Sequence, residues 1–408
     1  MQITHASIRP RTRGPFQAVA SSVALAILYA VAALVWAVAG DLLPGGRWLV
    51  VHLFTLGILT NLIVGFTQHF GRTLSRADGD DATWPTLALN AGIVVLLVGI
   101  ITGATIATAI GGTVVTAIVC ERYLNLRRMR RGAVGARFGW IVRCYERAHG
   151  AFVHGAILGL LLGTGVLGGA WYWSGRMAHL HVNVLGWAGL TLLATLVFFG
   201  PTVVRRQIEQ GADARAARVL RRGATGLTVG VLLLLASGVG GAWGDLLRVG
   251  GAAGLAVFAI ATGVVCAPIA RVARTSDVSA TRWGVLALCA WFPLVVWADV
   301  FVVATGRWQY LDALGIGIGL GVLVQAIVVT LSHVAPLLIA REYGNRVRSA
   351  LERGGGTRAV LHNGGTALVL VSVLAAVDGS VAIAGWTLVG AGLAQPVVVA
   401  LLPSVRDG

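Results

Sequence analysis

Charged side chains are scarce in this sequence, and lysine is absent. Asp, Glu, Lys and Arg together make up 12% of the 408 residues, whereas hydrophobic residues make up 57%. With a mean hydropathy of +0.82, the chain has too little polar surface to cover a core in water, which excludes a water-soluble domain of ordinary size. The composition therefore indicates a membrane protein.

Runs of about 20 mostly apolar residues, the length of a helix that spans the hydrocarbon core, follow one another with short polar breaks. Open sheet edges are not tolerated in lipid, and the runs do not alternate as barrel strands do. The sequence predicts an all-α fold, a polytopic transmembrane helix bundle. We expect it to lie in the lipid bilayer of a bacterial cytoplasmic membrane.

Sulfur-containing residues are also few. The four cysteines, Cys120, Cys144, Cys266 and Cys289, have no paired spacing, so they indicate neither a thiolate metal site nor a disulfide framework. We interpret them as packing residues. The presence of only three methionines argues against a thioether ladder for cuprous ion.

The apolar windows predict about twelve spans in a single bundle at 16–402, between a basic tail at 1–15 and a short tail at 403–408. The third and fourth spans are separated only near TGATIATAIGG, but one continuous helix there would be too long for the bilayer. The predicted spans are 16–39, 48–70, 85–104, 107–126, 145–168, 178–204, 223–242, 249–269, 282–304, 311–339, 360–377 and 380–402.

The 56 glycines recur inside the predicted spans. Small residues let helix backbones approach closely in a membrane, so we expect the helices to pack as one tight bundle. The alternative is that the glycines mark unwound helices of the kind found in transporters.

The basic residues are all arginine, and they are distributed unevenly. The two tails and the even-numbered connections, together with the span ends next to them, hold 28 of the 32 arginines, and the odd-numbered connections hold only Arg47, Arg176, Arg248 and Arg307. Because basic loops stay in the cytoplasm, both termini are predicted to be cytoplasmic. The same bias accounts for the formal net charge of +16, so we expect no nucleic-acid partner.

Eight of the nine histidines lie in or at the ends of predicted spans, where ionisable or metal-binding side chains are costly and usually functional. They fall into two layers, and the second span visits both, since its two histidines are about 25 Å apart along a helix. The outer group is His52, His179 and His181, and the inner group is His69, His149, His154, His333 and His362.

In AHLHVNVLGWAGL, residues 178–190, two histidines stand one residue apart at the start of the sixth span. Helical residues two apart point about 200° away from each other, so His179 and His181 cannot bind one ion between them. They serve two centres, or only one is a ligand, or both are merely interfacial polar residues.

Other polar residues at membrane depth are candidates to support these imidazoles. Asp299, near the outer end of the ninth span, is placed to orient an outer imidazole through its ring N–H, unless it faces water. Asn61 and Asn183 are candidates for the same supporting role. By contrast, His149 lies in a basic flank and is expected to be solvated, and His362 is expected to cap a helix or face lipid headgroups.

Five tryptophans are expected to form an aromatic belt near the outer face. They are Trp171, Trp173, Trp187, Trp297 and Trp308.

The segments TNLIVGFTQHF at 60–70 and VQAIVVTLSHV at 324–334 share an amide residue, the dipeptide Ile-Val and a histidine eight positions after the amide. His69 and His333 should therefore lie at similar depth. If the two helices are neighbours, a bis-histidine haem fits between these imidazoles. A match this short also arises by chance.

At AHLHVNVLGW and HLFTLGILTNLI, and more weakly at LSHVAPLL (331–338), the sequence resembles the haem-copper oxidase subunit I superfamily. It is most similar to actinobacterial proteins labelled copper oxidases and to the membrane portion of copper nitrite reductase-like proteins. The resemblance covers the twelve-span plan. It implies that the second and tenth spans supply ligands to a low-spin haem, which corresponds here to His52 or His69 and to His333.

This sequence departs from that superfamily at the ligands of its second centre. The seventh span, GATGLTVGVLLLLASGVGG, and the outer end of the tenth, LDALGIGIGLG, contain no histidine. A copper ion with three imidazole ligands beside a high-spin haem cannot be assembled in the oxidase manner. We therefore do not expect oxygen reduction to water.

These observations predict a membrane redox protein that binds haem b, with copper as a second candidate cofactor. The expected cofactor ligands are His52, His69, His179, His181 and His333, of which the three outer histidines are also the expected metal ligands. The protein would pass electrons between the quinone pool and an extracytoplasmic acceptor such as a cupredoxin or a cytochrome. The alternatives are a metal-ion permease lined by the same histidines and a non-catalytic assembly or sensing subunit.

Overall fold

The fold was analysed in a computed structural model, which describes residues 17–77, 83–132, 138–338, 341–377 and 379–401. Both predicted tails lie outside the described residues. The described chain is all-helical, with no strand, as the sequence predicts. Its helices are α1 (Gln17–Ala39), α2 (Gly46–Ser75), α3 (Trp84–Thr102), α4 (Thr105–Gly132), α5 (Gly139–Gly163), α6 (Trp171–Val203), α7 (Ala212–Val239), α8 (Gly241–Arg274), α9 (Ser279–Thr305), α10 (Trp308–Leu338), α11 (Arg341–Glu352), α12 (Gly355–Leu374) and α13 (Gly379–Leu401).

Nine of the described helices, α1 to α4 and α6 to α10, are long and apolar enough to cross a membrane. This confirms the prediction of a multi-pass helical membrane protein. The three remaining predicted spans also coincide with helices, namely α5, α12 and α13. Several helices extend beyond the predicted windows, because helical hydrogen bonds are local and continue past the apolar stretch that hydropathy detects.

One helix, α11, lies where the sequence predicts only a basic loop. It is amphipathic, and it buries Val347 and Leu351, which are four residues apart and therefore on one face. The arginines on its other faces make the segment polar on average, so hydropathy does not reveal this short apolar face. The helix packs against the ends of α10 and α13 and is not a candidate span.

The predicted break between the third and fourth spans is confirmed. Gly103 ends α3 in the left-handed conformation, at φ +69, a backbone geometry that glycine adopts without strain. The N–H of Ala104 then donates to the carbonyl of Gly99 at 2.8 Å. The chain reverses within a few residues, and α4 returns alongside α3.

Three helices contain a π-helical segment, in which each N–H donates to the carbonyl five residues earlier. The segments Leu53–Leu59, Val182–Gly189 and Gly317–Val324 lie in α2, α6 and α10. Leucine and glycine are the fourth and fifth residues of every segment. The position immediately before the segment is His52, His181 and Ile316 in turn.

The glycine at the fifth position of each π segment contacts a side chain of the preceding helix. A Cβ on Gly57 would lie 2.4 Å from the ring of Tyr29 in α1, and one on Gly321 would lie 2.7 Å from the ring of Trp291 in α9. The equivalent Gly186 faces Ala151 of α5. Each of the three helices therefore packs against the helix before it through the glycine at this position.

The seventh residues of the three segments, Leu59, Ala188 and Leu323, pack against one another as a separate buried cluster. The three helices α2, α6 and α10 therefore meet at equivalent positions of their π segments. The bundle is thus built of three four-helix units. They are α1–α4, α5–α8, and α9, α10, α12 and α13.

The last two helices of each unit form a hairpin in which glycines allow the two backbones to approach closely. A Cβ on Gly111, Gly254 or Gly385 would approach the partner helix to 2.3, 2.5 or 2.8 Å, so only glycine fits. The predicted role of glycine in tight packing is confirmed, and α2, α6 and α10 are continuous helices. We call the end of the bundle where α2, α6 and α10 begin the arginine-poor end, and the opposite end the arginine-rich end.

Candidate functional site

The first histidine of α2 lies just before a π segment at the arginine-poor end. The ring nitrogen Nδ1 of His52 is 2.8 Å from the carbonyl oxygen of Trp48, and the imidazole stacks on the indole of Trp48 with centroids 4.0 Å apart. Because a carbonyl can only accept, Nδ1 carries the proton and Nε2 has a free lone pair. The side chain is thereby fixed in one tautomer.

His179 is fixed in the same tautomer by a different helix. Its Nδ1–H donates to the carbonyl of Gly155 in α5 at 2.8 Å. A Cβ on Gly159 would lie 2.7 Å from the ring carbon Cε1 of His179, so the imidazole lies against bare backbone. Asn183 packs beside it and donates to the carbonyl of His179 at 2.8 Å.

His52 and His179 form the candidate site. Their rings come from α2 and α6, and both are half-buried. No hydrogen bond in the described part of the chain uses Nε2 of either ring. Anchoring Nδ1 on a backbone carbonyl while leaving Nε2 free is the usual preparation of a histidine for binding a metal.

His181 points elsewhere, as the spacing of the two histidines predicts. It is fully buried, its Nδ1 donates to the carbonyl of Met177 at 2.7 Å, and its Nε2 lies 3.1 Å from both carboxylate oxygens of Asp299 in α9. When the carboxyl group of Asp299 is ionised, both partners are acceptors and the contact is an imidazolium–carboxylate ion pair. In this structure neither nitrogen can bind a metal, contrary to the predicted ligand role of His181.

The expected metal trio is not assembled. Among the described residues, no group of three or more His, Cys, Asp or Glu side chains is placed to hold a metal ion. His52 and His179 both keep Nε2 free on the neighbouring helices α2 and α6, and His181 is directed to Asp299 of α9. The predicted contact of Asp299 with an outer imidazole is present, and Asp299 is buried.

The inner histidines do not face each other directly. Two phenylalanines lie between them: the His69 ring packs on Phe70 at 5.6 Å, Phe70 packs on Phe199 at 5.5 Å, and Phe199 packs on His333 at 5.3 Å between centroids. The predicted placement of a macrocycle between His69 and His333 therefore does not fit this structure, because the aromatic rings of α2 and α6 fill that position.

Asn61 supports no histidine. Its amide forms a reciprocal pair with Asn90 of α3, with two hydrogen bonds of 2.9 Å, and it also donates to the carbonyl of Gly57 at 2.8 Å. The pair satisfies two buried amides by each other and joins α2 to α3. Asn183, by contrast, lies beside His179 as predicted.

The expectations for His149 and His362 are wrong. His149 is fully buried, with Nδ1 2.9 Å from the carbonyl of Tyr145 and Nε2 3.4 Å from the hydroxyl of Thr67. His362 is also buried, and its Nε2 donates to the carbonyl of Leu320 in α10 at 3.0 Å. Neither ring faces solvent or headgroups.

Some of the tryptophans predicted to form a surface belt are exposed, but Trp187 is buried. Trp171, Trp173 and Trp297 are about two-fifths exposed, whereas Trp187 is 2% exposed and packs edge-on against Phe152 of α5. Sequence reasoning missed that Trp187 belongs to a row of polar residues on α6. The four-residue spacing of that row was visible in the sequence.

The cysteines agree with their interpretation as packing residues. All four are free thiols, Cys144, Cys266 and Cys289 are buried, and Cys120 is half-buried.

No protein-family model matches the chain, and no curated protein is similar enough to count as a relative. The resemblance to the haem-copper oxidase subunit I superfamily therefore stays a prediction.

Proposed function

We propose that this protein is an integral-membrane electron-transfer protein that binds haem b through His52 and His179. It passes electrons between the quinone pool and an extracytoplasmic acceptor, such as a cupredoxin or a cytochrome. The observation that carries the proposal is that α2 and α6 each present, at the arginine-poor end, an imidazole with Nδ1 anchored on a backbone carbonyl and Nε2 free.

The two imidazoles are of the kind that would hold haem iron. Each Nε2 presents a lone pair, and the hydrogen bond at Nδ1 holds the ring orientation and raises the basicity of the ligand. The indole of Trp48 fixes the plane of His52, and the glycine surface of α5 fixes that of His179. When bound, haem would supply one-electron chemistry. Copper is the second candidate for the same pair of nitrogens.

We also propose a topology of twelve spans with both termini in the cytoplasm, in a bacterial inner membrane. All twelve predicted spans coincide with helices, and α11, in the arginine-rich connection between α10 and α12, is too short to span. The distribution of arginine then places the His52–His179 pair at the extracytoplasmic end. That position suits electron delivery to an acceptor outside the cell membrane.

The test is an absorption spectrum of the full chain, expressed in a haem-replete bacterium and purified in mild detergent, together with metal analysis. We expect a Soret band that shifts on reduction with dithionite. His52→Ala and His179→Ala should each lose most of the haem, because a single remaining imidazole holds the cofactor weakly.

His154→Ala is the matched control. Its Nδ1 also donates to a backbone carbonyl, that of Gly150 at 2.7 Å, but its side chain is exposed, so this variant should keep its haem. Copper or zinc without haem would overturn the haem proposal in favour of a metal permease. Protein with neither would favour an assembly or sensing subunit.

A further inference from the structure

A small cavity lies between α9, α10, α12 and α13, at the arginine-rich end of the third unit. Its volume is about 20 Å³, which is room for one particle of about the size of a water molecule. Three polar side chains line it, Arg358, His362 and Gln325, and they are only 7%, 4% and 4% exposed. The proposed electron-transfer function uses none of them.

The guanidinium of Arg358 is a buried positive charge that forms no ion pair in the part of the chain that the structure describes. It donates to the side-chain oxygen of Gln395 and to the carbonyl of Leu351, which uses only part of its five N–H groups. Glu352, the last residue of α11, accepts from the N–H of Ala280 at 3.0 Å instead. A buried charge is costly unless an opposite charge lies beside it.

Hydrogen bonds fix the orientation of the Gln325 amide. The indole N–H of Trp291 donates to Oδ1 of Asn363 at 2.8 Å, so Nδ2 of Asn363 is the donor toward Oε1 of Gln325, at 3.4 Å. The remaining group of Gln325, Nε2, is therefore a donor. A Cβ on Gly284, which also lines the cavity, would lie 2.8 Å from this Nε2. Gln325 thus presents N–H groups on the cavity wall.

The imidazole of His362 has one nitrogen in use and one without a partner. Its Nε2 donates to the carbonyl of Leu320 at 3.0 Å, whereas its buried Nδ1 has no hydrogen-bond partner among the described residues. A negative charge nearby favours the protonated ring, and Nδ1 is then a donor as well.

Two long helices begin beside the cavity. Ala280 in the first turn of α9 and Gly355 at the start of α12 both line it, and a Cβ on Gly355 would lie 2.1 Å from the carbonyl oxygen of Ser279. The N-terminus of a helix carries a partial positive charge and favours an anion. The termini therefore add to the positive potential of Arg358.

We propose that this cavity binds one small monovalent anion of the size of chloride, beside Arg358, Nε2 of Gln325 and the protonated His362. Chloride is only slightly larger than water, and it supplies the negative charge that Arg358 lacks. A water molecule fits the same space but leaves that charge uncompensated. A metal cation is excluded by a wall of donors, and the phosphate of a lipid headgroup is too large for this volume.

The test is equilibrium dialysis of the purified full chain in mild detergent against radiolabelled chloride, with gluconate keeping the ionic strength constant. We expect saturable binding of about one chloride per chain, displaced by bromide but not by the larger gluconate. Chloride should also raise the unfolding temperature, because a ligand that binds only the folded state stabilises it. No saturable binding to the folded chain would overturn the site and leave a buried water.

Gln325→Glu is the sharpest variant, because it keeps the shape of the side chain and places a carboxylate on the wall that Arg358 lines. It should lower chloride affinity by about tenfold or more, since like charges repel, and its unfolding temperature should no longer depend on chloride. Arg358→Lys keeps the positive charge and should keep saturable binding, whereas Arg358→Gln should lose it.

Arg353→Gln is the matched control, because it removes an exposed arginine from the connection that precedes α12. It should bind chloride as the unmodified chain does. Equal affinities for Gln325→Glu and the unmodified chain would overturn the site. So would equal losses in Arg353→Gln and Arg358→Gln, which would show only a general effect of surface charge.

The site does not depend on bound haem, and the same preparations keep the two tests apart. Gln325→Glu leaves the Nδ1 anchors of His52 and His179 in place, so its haem content should equal that of the unmodified chain. Chloride binding without haem would sustain the anion site and refute the haem proposal, and haem without chloride binding would do the reverse.

Discussion

His181 and Asp299 are placed to form an ion pair. The ring nitrogens of His181 face the carbonyl of Met177 and the carboxyl group of Asp299, and both nitrogens donate when that carboxyl group is ionised. The pair is buried, where an ion pair is held mainly because separating it leaves one charge without compensation. It joins α6 to α9, and so the second unit to the third.

Asp299→Leu removes the carboxylate and leaves the His181 imidazolium buried without a partner. We expect the free energy of unfolding to fall by about 3–5 kcal/mol. The double variant His181→Leu with Asp299→Leu should recover most of that loss, because apolar residues of similar volume often replace a buried ion pair without cost. Denaturant unfolding in detergent measures both, and additive losses in the double variant would contradict the ion pair.

The sequence predicts the direction in which a side chain points better than it predicts the residue that this side chain contacts. That His179 and His181 diverge follows from helix geometry, and that Asp299 contacts an outer imidazole follows from depth. Which imidazole it contacts depends on how α6 packs against α9, which no local pattern contains. The neighbouring Arg147 suggests a solvated His149, yet residues two apart on a helix face opposite ways: Arg147 is exposed and His149 is buried.

The π segments of α2, α6 and α10 are the elements by which these three helices pack on the helices before them. Each segment places a glycine against the preceding helix. The segment in α10 also contains a second glycine that has no such contact, which serves as a control. Gly321 meets the ring of Trp291, whereas nothing lies within 4 Å of a Cβ on Gly319, two residues earlier in the same segment. The two positions separate packing from backbone flexibility.

Gly321→Ala should destabilise the protein by about 1–3 kcal/mol, because the added methyl group overpacks against the indole of Trp291. Gly319→Ala should be neutral or stabilising by up to about 1 kcal/mol, since alanine favours a helix over glycine. Thermal unfolding in detergent compares the two variants. Equal stability would show that the contact of Gly321 with Trp291 is not tight.

Hydropathy predicts the helices well, because lipid leaves a backbone no other way to satisfy its hydrogen bonds. The π segments escape this reasoning, since one extra residue per turn does not alter hydropathy. They could have been found by aligning HLFTLG, HVNVLG and IGIGLG, the stretches that start at His52, His181 and Ile316. The amphipathic helix α11 was missed because only Val347 and Leu351 mark its buried face.

The proposed topology makes a prediction about the whole molecule. Leu42 lies in the connection between α1 and α2 and is 90% exposed, and Gln210 lies exposed in the connection between α6 and α7. Five proposed spans separate them, so they should lie on opposite sides of the membrane. Cys120→Ala, which removes the least buried native thiol, is the background for both cysteine variants.

A membrane-impermeant maleimide should label Leu42→Cys in right-side-out vesicles and Gln210→Cys in inside-out vesicles. The background variant should stay unlabelled in both, because its remaining thiols are buried. Labelling of the two cysteines from the same side would contradict the proposed spans between them.

The three-unit plan has a consequence for how one chain diversifies its chemistry. A ring of three identical subunits would carry the same side chain at each equivalent position. Joining the units covalently lifts that constraint. The position before the π segment therefore holds an imidazole with an open nitrogen at His52, an imidazole that faces the carboxyl group of Asp299 at His181, and an inert aliphatic group at Ile316.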